Sequence, residues 1–108
     1  MRRRRTGPQR RRRLVLRLYV AGSARNSVAA VQNLRRLCAE LPRDAVDLEI
    51  VDVLAHPARA LEDGILVTPT LRRIEPRPVQ TIVGDLSDGR GVRAVLGLPP
   101  ARPDRSEP

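Results

Sequence analysis

The chain has 108 residues and a formal net charge of +9, with 21 basic residues, all arginine, against 12 acidic ones. This length fits one small domain, and no apolar stretch approaches the roughly 20 residues that a membrane-spanning helix needs. The single cysteine excludes an intramolecular disulfide and a Cys-x-x-Cys motif, and the single histidine adds no cluster of metal ligands.

Residues 1–13 form an arginine-rich arm, because Arg2–Arg5 and Arg10–Arg13 supply eight arginines and no acid. The like charges and a Gly-Pro pair predict that the arm is disordered. It could bind RNA, DNA, an anionic lipid surface or an acidic protein, or be a solvated extension. The arm lacks aromatic residues for base stacking, which weakens the nucleic-acid interpretation. Arg17 interrupts the apolar run that follows, which disfavours a secretory signal.

The first half of the chain predicts a strand, a helix and a second strand. Leu14–Val20 is almost continuously apolar, which is typical of a central strand covered on both faces. After a glycine turn, apolar residues spaced by three or four predict a helix with Asn26 or Ser27 as its N-cap and its end near Leu41. Alternating apolar residues over 46–53 predict a second strand with one partly solvated face.

The second half begins with weaker signals. A short polar helix is predicted from Pro57 to Asp63, with Leu61 as its main apolar anchor and Gly64 at its end. An apolar strand over 65–74 follows. A turn containing two prolines then leads into a partner strand over 79–83, so that the two strands form a hairpin.

The last predicted element is a helix over 88–96. Ser87 is its predicted cap, and Gly89 and Gly91 weaken it, since an interior glycine costs about 1 kcal/mol relative to alanine. Residues 99–108 are predicted to be a disordered tail. The predicted domain is therefore residues 14–98, an α/β domain with the order β-α-β-α-β-β-α and a mixed sheet.

Three motifs carry a family resemblance. The strand that ends in Tyr-Val-Ala-Gly at Gly22 and the Thr-Pro-Thr phrase around Pro69 suggest a thioredoxin-like layout, in which a cis-proline precedes the third strand. With the Gly84-Asp85 turn after another strand, the chain resembles the KaiB family, small adaptors of the cyanobacterial circadian clock. We expect Gly22, Pro69, Gly84 and Asp85 to have structural roles.

Redox and other enzymatic chemistry is not expected. The turn that carries the redox cysteines of thioredoxins is here Gly-Ser-Ala-Arg-Asn-Ser over residues 22–27, and disulfide exchange requires a thiolate. Cys38 lies on an apolar helical stripe and is predicted to be a buried, inert thiol rather than a redox sensor. His56 precedes a proline at a helix start, where a surface or capping role is the simpler interpretation than a general base. We therefore predict no catalytic residue, cofactor or metal.

The resemblance implies a partner and a binding surface. In the KaiB family the thioredoxin-like form docks on the ring ATPase KaiC and competes with a histidine kinase, and the docking surface includes the second helix and the segment after it. On this chain the corresponding candidates are Ala58, Glu62, Asp63, Gly64 and Arg73. Gly64 stands where the clock proteins commonly carry lysine, and the acidic tail common in those proteins is replaced by Ala-Arg-Pro-Asp-Arg over residues 101–105.

The resemblance also implies that the C-terminal half can refold into an alternate packing, since the family is metamorphic, and that the chain can assemble as a tetramer or dimer. We expect a cytoplasmic protein without membrane association. Two alternatives remain open at this point. One is a detached sensor or interaction module of a histidine-kinase pathway, because that kinase's N-terminal domain shares the fold. The other is a nucleic-acid binder that acts through the arm.

Overall fold

The computed structural model describes residues 13–100, so the predictions for residues 1–12 and 101–108 lie outside the described residues. The elements, in chain order, are β1 (Leu14–Val20), α1 (Arg25–Cys38), a 3₁₀ helix (Arg43–Ala45), β2 (Val46–Asp52), α2 (Pro57–Glu62), β3 (Thr70–Glu75), β4 (Gln80–Val83) and α3 (Gly89–Leu96). The predicted β-α-β-α-β-β-α order is confirmed.

The four strands form one sheet in the order β2-β1-β3-β4. β1 pairs with β2 in parallel and with β3 in antiparallel orientation, and β3 pairs with β4 in antiparallel orientation. The predicted mixed sheet is therefore confirmed, with β1 and β3 at its centre. This register decides which side chains share a face, because successive residues of a strand point to opposite sides.

The core lies on the face of the sheet that α1 and α3 cover. Leu16 and Leu18 of β1 and Leu71 of β3 are almost completely buried there, together with Leu34 of α1 and Val92 of α3. Each fully buried side chain of this size stabilises the fold by about 1.5–3 kcal/mol. On the opposite face, Tyr19 and Val51 are buried, and α2 with its neighbouring segments covers only part of that face.

The start of α1 differs from the prediction. Its N-cap position is Ala24, which makes no side-chain hydrogen bond to the helix, so Asn26 or Ser27 as the cap is wrong. Ser27 is buried inside the helix, and its Oγ accepts a hydrogen bond of 3.0 Å from the Ala21 N–H. The hydroxyl therefore closes the β1–α1 loop. The helix ends at Cys38, three residues before Leu41, because the last amides bond to carbonyls three residues back in a tightened turn.

Leu61 does not anchor α2. Its residue surface is 81% exposed, so the predicted role in the core is wrong. The Ile65 N–H donates a hydrogen bond of 2.9 Å to the Ala60 carbonyl, which brings the following segment back against Ala60 and leaves Leu61 facing solvent. α2 is also only six residues long, so it has few positions with which to cover the sheet.

β3 begins at Thr70 rather than at residue 65, so the first half of the predicted strand is wrong. Thr70 Oγ1 donates a hydrogen bond of 2.7 Å to the Val67 carbonyl, which holds residues 67–70 in a turn. Pro69 has no N–H to contribute to a ladder. The Thr68–Pro69 bond is cis, as the sequence predicts, and Pro69 is buried.

α3 is capped by Asp88, and the predicted Ser87 cap is wrong. The Asp88 side chain accepts a hydrogen bond of 3.4 Å from the Gly91 N–H. The Ser87 N–H donates instead to Asp85 Oδ1, at 3.0 Å, in the turn before the helix. The helix ends in Gly97, whose φ of 77° lies in the left-handed region that glycine adopts without strain. None of the helices in residues 13–100 is both long and apolar enough to cross a bilayer.

Candidate partner-binding surface

α2 and the segment after it present large apolar side chains to solvent. Leu61 is 81% exposed and Leu66 is 93% exposed, and Leu54 just before the helix is 71% exposed. The predicted site residues Ala58 and Glu62 are exposed on the same helix. We call Leu54, α2 and residues 63–67 the α2 surface. Exposed apolar side chains beside an acid are typical of a protein-binding surface.

Asp63 joins the α2 surface to the sheet. Its carboxylate accepts a hydrogen bond from the Tyr19 hydroxyl and lies 3.5 Å from an Arg17 nitrogen. Its backbone carbonyl accepts a hydrogen bond of 2.8 Å from Arg72. Burial of the phenol, followed by the hydrogen bond to Asp63, raises the pKa of Tyr19. Asp63 is therefore turned inward, where it holds the C-terminal end of α2 against the sheet.

Two ion pairs connect the middle of α2 with β1 and β2. Arg59 donates to both carboxylate oxygens of Glu49, at 2.7 and 3.1 Å, and Arg17 donates to the same carboxylate at 3.1 Å. The Arg59 hydrogen bond, with further attraction from Arg59 and Arg17, lowers the pKa of Glu49 to about 2. Because Glu49 is half exposed, solvent weakens this pairing.

The structure does not bring all five predicted binding residues together. Ala58, Glu62, Asp63 and Gly64 lie on α2 or directly after it, and Gly64 has the positive φ of 70° that a residue following a helix commonly adopts. Arg73 lies on the opposite face of the sheet, because it neighbours Arg72 in β3. Its guanidinium donates to the Val95 carbonyl of α3 at 2.7 Å and to the Pro78 carbonyl at 2.9 Å.

The four residues predicted to have structural roles lie at turns. Gly22 has a φ of 55° and donates to Asp52 Oδ1 at 3.0 Å, which fixes the end of β1 beside the end of β2. The Pro69 carbonyl accepts a hydrogen bond of 2.9 Å from the N–H of Gly84, whose φ is 120°. Asp85 accepts from Ser87 through its side chain, and these hydrogen bonds lower the pKa of Asp85.

Two shallow grooves flank the exposed segment Ile65–Val67. One has a volume of about 280 Å³ and separates the segment from Leu54 and Ala60. The other, of about 310 Å³, separates it from Thr81 and Val83 of β4. Both are open to solvent, and each has apolar side chains on its walls. They can receive side chains of a protein partner more readily than they can enclose a small molecule.

The β1–α1 turn, His56 and Cys38 are the positions at which the sequence could carry chemistry. The residues of the β1–α1 turn contain no sulfur, and His56 is exposed without a side-chain hydrogen bond to the helix that it precedes. Cys38 is half-buried rather than buried, and burial raises the pKa of its thiol, which disfavours the reactive thiolate. Within residues 13–100, no three side chains of the metal-binding types are grouped to hold an ion.

The charged contacts beneath α2 were not predicted from the sequence. In the sequence Arg17 interrupts an apolar strand, and a lone arginine in such a strand is itself a sign of a buried polar contact. Its partner Glu49 stands directly opposite it in the β1–β2 register, and Arg72 stands opposite it in the β1–β3 register. These positions follow only once the strand register is known.

Comparisons with family models and with known protein sequences agree on one family. The model of the KaiB domain matches residues 17–98. The circadian clock protein KaiB3 of Synechocystis sp. is 46% identical over 86 residues, which cover 80% of this chain and 82% of that protein. The circadian clock oscillator protein KaiB of Parasynechococcus marenigrum is 46% identical over 88 residues, covering 82% of this chain and 83% of that protein.

Solved structures support the thioredoxin-like fold. The N-terminal domain of Synechococcus elongatus SasA superposes with a TM-score of 0.62 at 23% identity, over 84% of this chain and 90% of that domain. The thioredoxin of Fasciola hepatica superposes with a TM-score of 0.67 at 19% identity, over 82% of this chain and 83% of that protein. At these identities the likeness concerns the fold alone.

Proposed function

The chain belongs to the KaiB family, and from that membership we propose that it is a non-enzymatic clock adaptor that binds a KaiC-like ring ATPase. Binding would modulate the phosphorylation cycle of the ATPase and so serve circadian or stress timing. The observation that carries the proposal is 46% identity to proteins named for the circadian clock over 80% or more of this chain.

The α2 surface is the proposed docking site for the ATPase. Its exposed leucines supply apolar area, and the exposed side chain of Glu62 supplies a negative charge. The Asp63 carboxylate faces the sheet, and Gly64 is exposed at the end of the helix, where its backbone can contact the partner. Arg73 is better placed to join β3 to α3 and the β3–β4 turn than to reach a partner on this surface.

The adaptor acts without chemistry of its own. The relatives are named as clock proteins and not as enzymes, and the β1–α1 turn lacks the thiols of a thioredoxin. We expect an insulin-reduction assay to show no turnover. Turnover that survives Cys38→Ser would contradict a non-enzymatic role.

The proposal includes the wider setting that the resemblance implies. The protein is cytoplasmic, forms dimers or tetramers in its alternate packing, and competes with a histidine kinase for the ATPase. Weak cohesion of the C-terminal half supports the alternate packing, because most of the exposed large apolar residues described lie beyond Val53.

Binding of a purified KaiC-type ATPase to the full chain tests the docking site. We expect Glu62→Arg and Leu66→Asp each to weaken binding at least tenfold. Asp44→Arg is the matched control for the charge reversal, because Asp44 is exposed in the 3₁₀ helix at the opposite end of β2. Equal loss in Glu62→Arg and Asp44→Arg would contradict docking through the α2 surface, and no binding by the unmodified chain would contradict the adaptor function.

The alternative is a detached module of a histidine-kinase pathway. The fold likeness to the SasA N-terminal domain favours it, but that likeness rests on 23% identity, half that of the clock proteins. The same binding experiment separates the two functions. A chain that binds a sensor kinase and leaves the phosphorylation cycle of the ATPase unchanged would support the module.

A further inference from the structure

The two edges of the sheet differ in how well they are protected against pairing with another chain. β2, at one edge, includes Asp47, Glu49 and Asp52. β4, at the other edge, has the sequence Gln-Thr-Ile-Val, and Val79 before it is also uncharged. Charges or a proline on an edge strand discourage pairing, whereas an uncharged, apolar edge permits it. We call residues 79–83 the β4 edge.

The β4 edge exposes apolar side chains that the α2 surface does not include. Val79 is 48% exposed and Val83 is 60% exposed, and Thr81 between them is also exposed. Thr81 and Val83 form one wall of the groove of about 310 Å³ beside Leu66, so they lie on the same face of the sheet as α2. Because side chains alternate along a strand, Val79 lies on this face as well.

The ladder with β3 determines which backbone groups of the β4 edge are free. The Gly84 N–H donates to the Pro69 carbonyl, in register with the pairing of β3 and β4. Hydrogen-bonded positions alternate in an antiparallel pair, so the backbone groups of residues 80 and 82 also point at β3. The N–H and C=O groups of residues 79, 81 and 83 therefore point away from β3, and no described strand lies on that side of β4.

A second copy of the chain in antiparallel orientation matches these free groups in one register. When Thr81 lies opposite Thr81 of the second copy, Val79 of each copy lies opposite Val83 of the other. Every free residue of one copy then faces a free residue of the other, and each facing pair can exchange two backbone hydrogen bonds. A shift of one residue would instead set free groups against groups that already bond to β3.

The side chains favour the same register. It sets the two exposed valines against each other on both sides of a central Thr–Thr pair. Cross-strand pairs of β-branched residues and of threonines stabilise a sheet. None of the residues 79–83 is charged, so no like charges meet along the paired strands. The β4 edge is therefore complementary to itself in both its backbone and its side chains.

We propose that two copies of the chain, each in the packing described above, associate through their β4 edges and join their sheets into one. This dimer uses the thioredoxin-like packing and is therefore distinct from an assembly of the alternate packing. It also leaves α2 uncovered, because Arg59 and Asp63 hold that helix over β1 and β2 at the other side of the sheet. The inference stands whether or not the ATPase is the partner.

The dimer is expected to be weak. The paired segment is short, and it buries less than the roughly 1,200 Å² at which stable interfaces begin. We therefore expect the dimer population to rise over a range of about 10 µM to 1 mM protein.

Sedimentation velocity of the full chain over this concentration range tests the proposal. Thr81→Glu should weaken self-association by roughly tenfold or more, because two carboxylates would meet at the two-fold axis. Within one copy the new glutamate is tolerated, since Arg72 lies opposite position 81 in the register of β3 and β4. Gln32→Glu is the matched control, because it adds the same charge at an exposed position of α1.

Two further measurements check the register. A mixture of Thr81→Glu and Thr81→Lys should associate again, since opposite charges then face each other across the axis. The N–H groups of Thr81 and Val83 should exchange with solvent more slowly at about 1 mM than at about 10 µM protein, because they become bonded in the dimer. The Ile82 N–H should show no such change, since it already bonds to β3.

Three results would overturn the proposal. One is a chain that stays monomeric at about 1 mM. Another is equal self-association of Thr81→Glu and Gln32→Glu, since the copies would then meet through a different surface. The third is a monomeric chain in which Thr81→Glu weakens binding of the ATPase, which would assign the β4 edge to that partner and not to a second copy.

Discussion

Tyr19 shows how a single residue links the sheet to the α2 surface. It is the only aromatic residue of the chain, and it is completely buried on the face that α2 covers. Its hydroxyl donates to Asp63, and the Arg72 guanidinium lies over its ring at 5.9 Å from the centroid. One side chain therefore contributes apolar burial, a hydrogen bond to a carboxylate and a cation–π contact.

We expect Tyr19→Phe to destabilise the protein by about 1–2 kcal/mol, because it keeps the ring but removes the hydrogen bond to Asp63. Chemical denaturation measures the loss, and hydrogen exchange should show faster opening of α2 with little change in α1. The raised pKa of Tyr19 means that the phenol keeps its proton to higher pH in the folded state. The difference in the free energy of unfolding between the unmodified protein and Tyr19→Phe should therefore persist below pH 10 and decline as the pH rises further. Unchanged stability and unchanged exchange at α2 would show that the hydroxyl does not hold the helix.

Glu49 gives a second prediction at this scale. Its folded-state pKa of about 2 lies below the ordinary value of 4.5, so the folded state releases this proton more readily than the unfolded chain does. The stabilisation from its pairs is therefore present above pH 4.5 and is lost as the pH falls toward 2. The free energy of unfolding of the unmodified chain should exceed that of Glu49→Gln above pH 4.5. This difference should decrease as the pH falls toward 2, and it should be smaller in 1 M salt. An advantage that is the same at pH 7 and pH 3 would contradict this account.

Among the elements, α3 illustrates how a cap and a glycine interact. Asp88 caps the helix, and a Cβ built on Gly91 would lie 3.1 Å from an oxygen of that same carboxylate. A Cβ built on Gly89 meets nothing within 4 Å. The two glycines are therefore not equivalent, although helix propensity alone predicts the same destabilisation relative to alanine at both positions.

We expect Gly89→Ala to stabilise the protein by about 0.5–1 kcal/mol, because it reduces the freedom of the unfolded chain without a clash. Gly91→Ala should gain less or nothing, since the Asp88 cap must shift to make room. Thermal unfolding of the two variants measures the difference. Gly97→Ala is the control expected to destabilise, because Gly97 has a φ of 77°. Equal gains at positions 89 and 91 would show that the cap adjusts freely.

Over the whole molecule, the buried apolar residues are divided unevenly along the chain. Within residues 13–100, eight of the twelve buried apolar residues precede Val53, and the exposed large apolar residues follow it with the exception of Val28. β3 is an exception in the second half, because it lies at the centre of the sheet and its Leu71 is completely buried beside Leu18. We therefore expect α2 and β4, at the periphery of the second half, to be held to the rest of the domain by the least apolar burial.

Native-state hydrogen exchange should therefore reveal a subglobal opening of the half beyond Val53, in which α2 and β4 exchange first and β1 and α1 last. The physical reason is that residues 54–100 bury less apolar surface and can separate from the sheet at a lower free energy. Rearrangement of this half is the behaviour that membership of the KaiB family leads us to expect. One global opening that exposes both halves at the same rate would contradict the division.

The sequence by itself determined the order of the elements and the absence of redox cysteines from the β1–α1 turn. Both are local: apolar spacing distinguishes α1 from β1 and β2, and a turn without cysteine remains so in any fold. Local signals also located the turns at Gly22, Pro69 and Gly84. Local signals failed to identify the N-caps of α1 and α3. Ser27 and Ser87 have hydroxyls that could cap a helix, but Ser27 bonds to Ala21 and Ser87 bonds to Asp85.

Only the tertiary structure decided on which face of the sheet each side chain lies. Asp63 looks like a surface acid until Tyr19 is known to lie beneath it. Leu61 looks like an anchor until the Ile65 N–H is seen to donate to the Ala60 carbonyl. Arg72 and Arg73 are neighbours in sequence, yet one reaches Asp63 below α2 and the other reaches Val95 of α3. The reason is that a shift of one residue in strand register exchanges the two faces, and register is set by pairing between segments far apart in the chain.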